Sequence, residues 1–125
     1  MLDYARQRAS EALGTPRSAV LVTSGPAGVQ TGEFPCETID LNLYLLVPQT
    51  SDHLFNLEHN AVVTLLTAGC ELKGKAHLVS CSMPEIKLEL LQELGAKWCA
   101  LVQVEIFRVQ VRSGRGWKNS ETIDL

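Results

Sequence analysis

The sequence predicts a mainly β protein in which six strands form a small closed antiparallel barrel. Two observations support this prediction. Six segments have the pattern of strands and three have the periodicity of short helices, with turn residues between most of them. The strand segments are Ser18–Ser24, Val29–Thr38, Leu41–Val47, Ala61–Thr67, Glu71–Val79 and Ala100–Arg112. The helix segments are Leu2–Leu13, Ser51–Asn60 and Ser82–Leu94.

The first helix segment carries its apolar residues on one side and ends at Gly14-Thr-Pro16. The first strand follows, and Gly25-Pro-Ala-Gly28 is a turn that leads into the second strand. Pro35 lies inside the second strand and has no N–H to donate. We therefore expect an edge, a bulge or a break at this position.

The fifth strand segment alternates clearly. Leu72, Gly74, Ala76 and Leu78 point one way, and the opposite face is polar. The polar face consists of Glu71, Lys73, Lys75 and His77. It meets either solvent or a ligand or partner, and solvent is the simpler interpretation.

The last helix and strand segments carry two further signals. Ser82 and Glu85 have the spacing of a capping box, and Gly95 is a suitable C-cap. In the last strand the apolar side chains change phase between Ile106 and Phe107. A bulge would produce this change, as would a strand that passes from the barrel core to a subunit interface.

Composition sets the class of protein. The 125 residues are 46% hydrophobic and 20% charged, which predicts one soluble globular domain spanning 1–125. The net charge of −3 argues against a nucleic-acid partner. No apolar run approaches the roughly 20 residues that span a membrane, and the charged start lacks the pattern of a signal peptide. We expect a cytoplasmic protein that does not bind membranes.

The four cysteines and three histidines show no metal-binding pattern. Cys36, Cys70, Cys81 and Cys99 have no two-residue spacing, so we expect free, buried thiols. Surface or helix-terminal positions explain His53, His59 and His77 better than a metal site does, and we predict none.

The turn before the second helix segment has the architecture of an anion site. Free N–H groups and the helix dipole favour negative charge at such a position. The turn offers Gln49, Thr50 and Ser51, and Ser51 is a possible N-cap. It contains no Arg or Lys, and Asp52 adds a negative charge. His53 in the first helical turn is a further candidate contact for an anion.

Several segments, taken in order, resemble one known family. They are Ala19 to Val29, Leu43 to Val47, Ser51 to Leu65, Glu71 to Ala76 with its central glycine, and the closing Gly116 to Leu125. In this order and spacing the chain is similar to the pyridoxamine 5'-phosphate oxidase-like, FMN-binding split-barrel superfamily. The similarity covers nearly the whole chain, and it implies that the six-stranded antiparallel barrel is a split β-barrel.

The resemblance also implies a homodimer with FMN in clefts between the subunits. By position, it places the cofactor-binding residues on the second strand and in the turn before the short helix. The second-strand candidates are Gln30, Thr31, Gly32 and Glu33, and the turn candidates are Gln49, Thr50, Ser51 and His53. Trp117 either stacks on the ring system or anchors the tail to the dimer. The family's basic residues are missing from both segments, where neutral or acidic residues stand instead.

The sequence is compatible with two functions. One is a flavin-dependent oxidoreductase in which FMN carries the redox chemistry, with no residue standing out as a catalytic acid or base. The other is a non-catalytic split-barrel module for binding or regulation. Such a module would have lost FMN, or would bind another ligand such as a deazaflavin or haem.

Overall fold

The computed structural model describes residues 2–79, 99–111 and 121–125. The two helices are α1 (Leu2–Leu13) and α2 (Asp52–His59). The seven strands are β1 (Ser18–Thr23), β2 (Gln30–Ile39), β3 (Asn42–Pro48), β4 (Val62–Leu66), β5 (Cys70–Val79), β6 (Cys99–Val111) and β7 (Glu121–Asp124). The predicted helix Ser82–Leu94, Gly95, Cys81 and Trp117 lie outside the described residues.

Six antiparallel strands close into a barrel. The order is β3-β2-β1-β4-β5-β6, and pairing of β3 with β6 completes the ring. This closure runs from Asn42 opposite Glu105 to Pro48 opposite Cys99. The structure therefore confirms the predicted antiparallel barrel, and the six predicted strand segments correspond to β1 through β6.

Strand β7 was not predicted. It pairs with the end of β6 and has one buried side chain, Ile123. Two exposed ion pairs flank it, Arg108 with Asp124 at 2.7 Å and Arg8 with Glu121 at 2.8 Å. A short polar strand with a single inward apolar residue has too little alternation to be recognised in the sequence.

The barrel interior is filled by alternate side chains from each strand. Leucine and valine from β1, β3, β4, β5 and β6 pack with Cys36 of β2 and with Ala9 and Leu13 of α1 in one cluster. The fully buried members include Leu21, Leu43, Leu45, Leu65, Leu72, Val102 and Val104. The described helices are too short and too polar to cross a bilayer.

Pro35 lies where β2 changes partner. Residues Gln30 to Pro35 pair with β1, and residues Cys36 to Ile39 pair with β3. The missing N–H of proline thus coincides with the interruption between two ladders, as expected for a break.

Phe107 is the extra residue of a β-bulge. Gly74 of β5 lies opposite Ile106 and Lys73 lies opposite Arg108, so Phe107 has no partner on β5. Ile106 and Val109 both remain in the core, while Phe107 is exposed. The bulge alternative is confirmed, and the phase change therefore gives no separate support for a subunit interface.

The alternation of β5 holds over most of the strand. Leu72, Gly74 and Ala76 are buried, while Lys73, Lys75 and His77 are exposed. Leu78 departs from the predicted pattern and is 57% exposed.

Gly74→Ala should destabilise the barrel by about 1–3 kcal/mol, because the new Cβ meets the Val104 side chain and the Glu105 carbonyl oxygen. Gly69→Ala is the control, since Gly69 has open space around it. Its change should stay within about 0.5 kcal/mol. Urea denaturation of both variants measures the difference, and equal midpoints would contradict tight packing at Gly74.

Candidate ligand-binding site

The two segments predicted to hold a ligand are neighbours in the structure. The ring of His53, in the first turn of α2, lies near the Thr31 backbone of β2. A Cβ added to Gly32 would lie 3.3 Å from His53 Nε2. The start of β2 and the start of α2 are therefore neighbours.

The four candidates on β2 alternate between two faces. Gln30 and Gly32 lie opposite Thr23 and Leu21, which are buried, and so belong to the inner face. Thr31 and Glu33 are exposed on the outer face. The Gln30 side chain donates to the Ala27 carbonyl at 2.8 Å, so it braces the β1–β2 turn.

Ser51 caps α2 and uses the amides that an anion would need. Its backbone is extended, with φ −73° and ψ 138°, and its Oγ accepts from the His53 N–H at 3.2 Å. Its carbonyl accepts from the Leu54 N–H at 3.1 Å, and its own N–H donates to the Pro48 carbonyl. The predicted N-cap is thus confirmed, and two of the first amides of α2 are already satisfied.

This turn does not fit a phosphate group. Gln49 and Thr50 are exposed and neutral, and Asp52 places a carboxylate in the first turn of α2. Phosphate contacts in proteins gain most of their strength from charged donors. Here the amides are partly occupied and the nearest charge has the wrong sign.

His53 is at the helix terminus, but its ring is buried. The residue is 4% exposed, and Nδ1 lies 2.8 Å from Thr23 Oγ1. The ring also makes an edge-on contact with Phe34, with centroids 5.3 Å apart. Burial lowers the pKa of His53, and this outweighs the opposing effects of Asp52 and the nearby Thr31 backbone. The imidazole is therefore neutral at pH 7 and has no positive charge to offer an anion.

Asn56 completes a buried polar network that the sequence did not reveal. Its Nδ2 donates to the Gly28 carbonyl at 2.9 Å and to Thr23 Oγ1 at 3.2 Å. Its Oδ1 accepts from the Ala27 N–H at 3.0 Å. Thr23, His53 and Asn56, which we call the Thr23–His53–Asn56 network, join α2 to the β1–β2 turn. The available signal was the i, i+3 spacing of His53 and Asn56, which places both on one helix face.

The outer sheet face continues from Thr31 across three more strands. Thr31 of β2, Val22 of β1, Thr64 of β4 and Lys73 of β5 are paired in one row. The next row contains Glu33, Val20, Leu66 and Glu71. We call these two rows the outer sheet face. With strands about 4.8 Å apart, Lys73 lies about 14 Å from Thr31 along its row.

A shallow groove of about 460 Å³ lies at the other end of β1. It is lined by residues 16–20, Glu33 and residues 66–68. The Ser18 hydroxyl donates to the Glu33 carboxylate at 3.0 Å. Glu33 is thus held on the outer sheet face, away from the turn that contains Ser51.

The thiols described by the structure are free. Cys36 and Cys70 are buried, and Cys99 is half-buried. Burial raises the pKa of Cys36 to about 11 and also raises that of Cys70. Within residues 2–79, 99–111 and 121–125, no group of three or more His, Cys, Asp or Glu side chains is placed to hold a metal ion.

Solved structures share this architecture at low sequence identity. General Stress Protein 26 of Bacillus anthracis aligns over 98% of this chain and 99% of its own, with a TM-score of 0.73 and 16% identity. A Listeria innocua protein described as a candidate pyridoxamine 5'-phosphate oxidase aligns over 90% of this chain and 100% of its own, with a TM-score of 0.63 and 16% identity. This chain has the pyridoxamine 5'-phosphate oxidase-like split-barrel fold.

A third solved structure is also similar to this chain. A heme binding protein of Mycobacterium smegmatis aligns over 96% of this chain and 57% of its own, with a TM-score of 0.70 and 13% identity. No protein-family model matches the sequence, and no curated protein is similar to it in sequence. The likeness therefore concerns the fold and does not identify a ligand.

Asn56→Ala should destabilise the split barrel by about 2–3 kcal/mol, because it leaves the Ala27 N–H and the Gly28 carbonyl without their partner. Glu58→Ala on the exposed side of α2 is the control, with an expected change within about 0.5 kcal/mol. Chemical denaturation measures both, and equal losses would show that the network is not a main support of α2.

His53 should make the stability depend on pH. Because its pKa is lowered in the folded state, the unfolded chain takes up the proton first as pH falls below about 6.5. Its contribution to stability is therefore complete above that pH and is lost as pH falls towards the folded-state pKa. Thermal unfolding between pH 8 and pH 5 should show a smaller decline for His53→Gln than for wild type. His59→Gln, which changes an exposed histidine, should follow wild type.

Proposed function

We propose that this chain is a flavin-binding split-barrel protein related to pyridoxamine 5'-phosphate oxidase, with FMN as the ligand that the fold favours. The proximity of the His53 ring to Thr31 and Gly32 carries the proposal, because it brings together the two segments expected to hold the flavin. The alignment with a protein described as an oxidase of this type supports the same function. The proposed contacts are Gln30, Thr31, Gly32, Glu33, Gln49, Thr50, Ser51, His53 and Trp117.

The proposed assembly is a homodimer. The ligand would lie between the outer sheet faces of the two subunits or at the edges of these faces. Val20, Val22 and Leu66 lie half-buried on this face, and the neighbouring Val62 is 50% exposed. Apolar residues rimmed by polar ones on a sheet face are typical of an interaction site. A second copy of the chain would cover it and exclude water from the ring.

When bound, a flavin would supply the electron transfer itself. The chain would contribute position and surroundings. The Thr23–His53–Asn56 network holds α2 against the β1–β2 turn, so the start of β2 keeps its place beside α2. The Thr31 hydroxyl on the outer sheet face is available to a ligand. We propose a cytoplasmic location for this activity.

A second function is favoured by the capped turn. Ser51 accepts hydrogen bonds from two of the first N–H groups of α2, and Asp52 adds a negative charge. Both features oppose the binding of FMN through its phosphate. They fit a non-catalytic binding or regulatory module that has lost FMN or takes another ligand. The neighbour named as a heme binding protein makes haem a ligand to test.

Absorption spectra after gel filtration separate the two functions. We expect the bands of oxidised flavin to remain with the protein after incubation with FMN or riboflavin. A Soret band after incubation with haem, without flavin retention, would support the second function instead. Loss of every ligand on the column would contradict the flavin proposal.

A pair of tryptophan variants locates the site. Thr31→Trp should abolish flavin retention, because Thr31 is exposed on the outer sheet face. Ile39→Trp is the matched control, since Ile39 is exposed at the far end of the same strand, and it should retain flavin as wild type does. Equal retention by both variants would place the ligand elsewhere.

A further inference from the structure

We infer that Asp52 makes the site indifferent to the terminal phosphate, so that riboflavin binds this chain about as tightly as FMN does. The inference rests on the proposed flavin-binding function and concerns which flavin is selected. Three features support it. Two of the first amides of α2 already make hydrogen bonds, Asp52 carries a negative charge, and Arg17 and Lys73 lie outside the turn.

The first feature is the hydrogen bonding of the turn. The His53 N–H donates to Ser51 Oγ, and the Leu54 N–H donates to the Ser51 carbonyl. The Ser51 N–H donates to the Pro48 carbonyl. A phosphate would have to displace bonds that the chain already makes, so it gains little from these amides.

The second feature is the sign of the charge. Asp52 is exposed in the first turn of α2, where an incoming phosphate monoester would carry about −1.5 to −2 charges at pH 7. The His53 ring cannot offset this repulsion, because it is buried and bonded to Thr23. Solvent weakens the repulsion at an exposed position. We therefore expect that FMN still binds, but no more tightly than riboflavin.

The third feature is the position of two cations among the described residues, Arg17 and Lys73. Lys73 lies three strands from Thr31 across the outer sheet face. Arg17 precedes β1, whereas the opposite end of β1 carries Thr23, which contacts His53. Neither residue belongs to the turn that a phosphate would occupy.

Titration of flavin fluorescence with the full-length chain tests the inference. For wild type, the dissociation constants of FMN and riboflavin should agree within about threefold. Asp52→Lys should strengthen FMN binding about tenfold relative to riboflavin, since it replaces repulsion with a charge-assisted contact. Glu58→Lys makes the same change of charge on an exposed residue near the end of α2 and should leave the ratio unchanged.

The possible outcomes distinguish a failure of this inference from a failure of the proposed flavin-binding function. Wild-type binding of FMN tenfold or more tighter than riboflavin would overturn the inference and leave the flavin-binding function standing. Equal ratios in wild type, Asp52→Lys and Glu58→Lys would also overturn it, because Asp52 would then not face the phosphate. If neither flavin binds, the proposed function fails and the inference fails with it.

Discussion

The hydrogen bond between Thr23 Oγ1 and His53 Nδ1 is the contact on which the arrangement of the site depends. It is 2.8 Å long and buried, and Asn56 donates to the same hydroxyl. Buried polar groups are costly unless every one finds a partner, and here the described residues leave no buried side-chain N or O atom without one. This network determines where α2 lies relative to β1 and β2, and hence the shape of the surface beside Thr31.

The same contacts leave the turn with few groups that would attract an anion. Drawing the His53 ring inward keeps the imidazole neutral, and the Ser51 cap satisfies two of the first amides of α2. A helix N-terminus binds anions when its amides are free. In this split barrel the stability of the helix start and the capacity for phosphate compete for the same donors.

Alternation and capping made most of the fold predictable from the sequence. The six barrel strands, α1, the cap at Ser51 and the bulge at Phe107 all follow from local patterns. Strand β7 was missed because only Ile123 is buried in it. Asn56 was missed because its partners, Ala27, Gly28 and Thr23, are distant in the chain. A network of this kind depends on tertiary contacts that no local pattern records.

The barrel and the turn place different demands on the sequence. Neighbours at 13% to 16% identity keep the same architecture, because a barrel needs only apolar side chains at alternate positions and workable turns. Ligand selection depends instead on a few exposed residues that the core does not constrain. In this chain Asp52 is exposed and lies outside the hydrogen bonds that join Thr23, His53 and Asn56, so its charge can change with little effect on the barrel. Fold likeness therefore concerns the barrel, whereas the ligand has to match the charge and hydrogen bonding of the residues at the site.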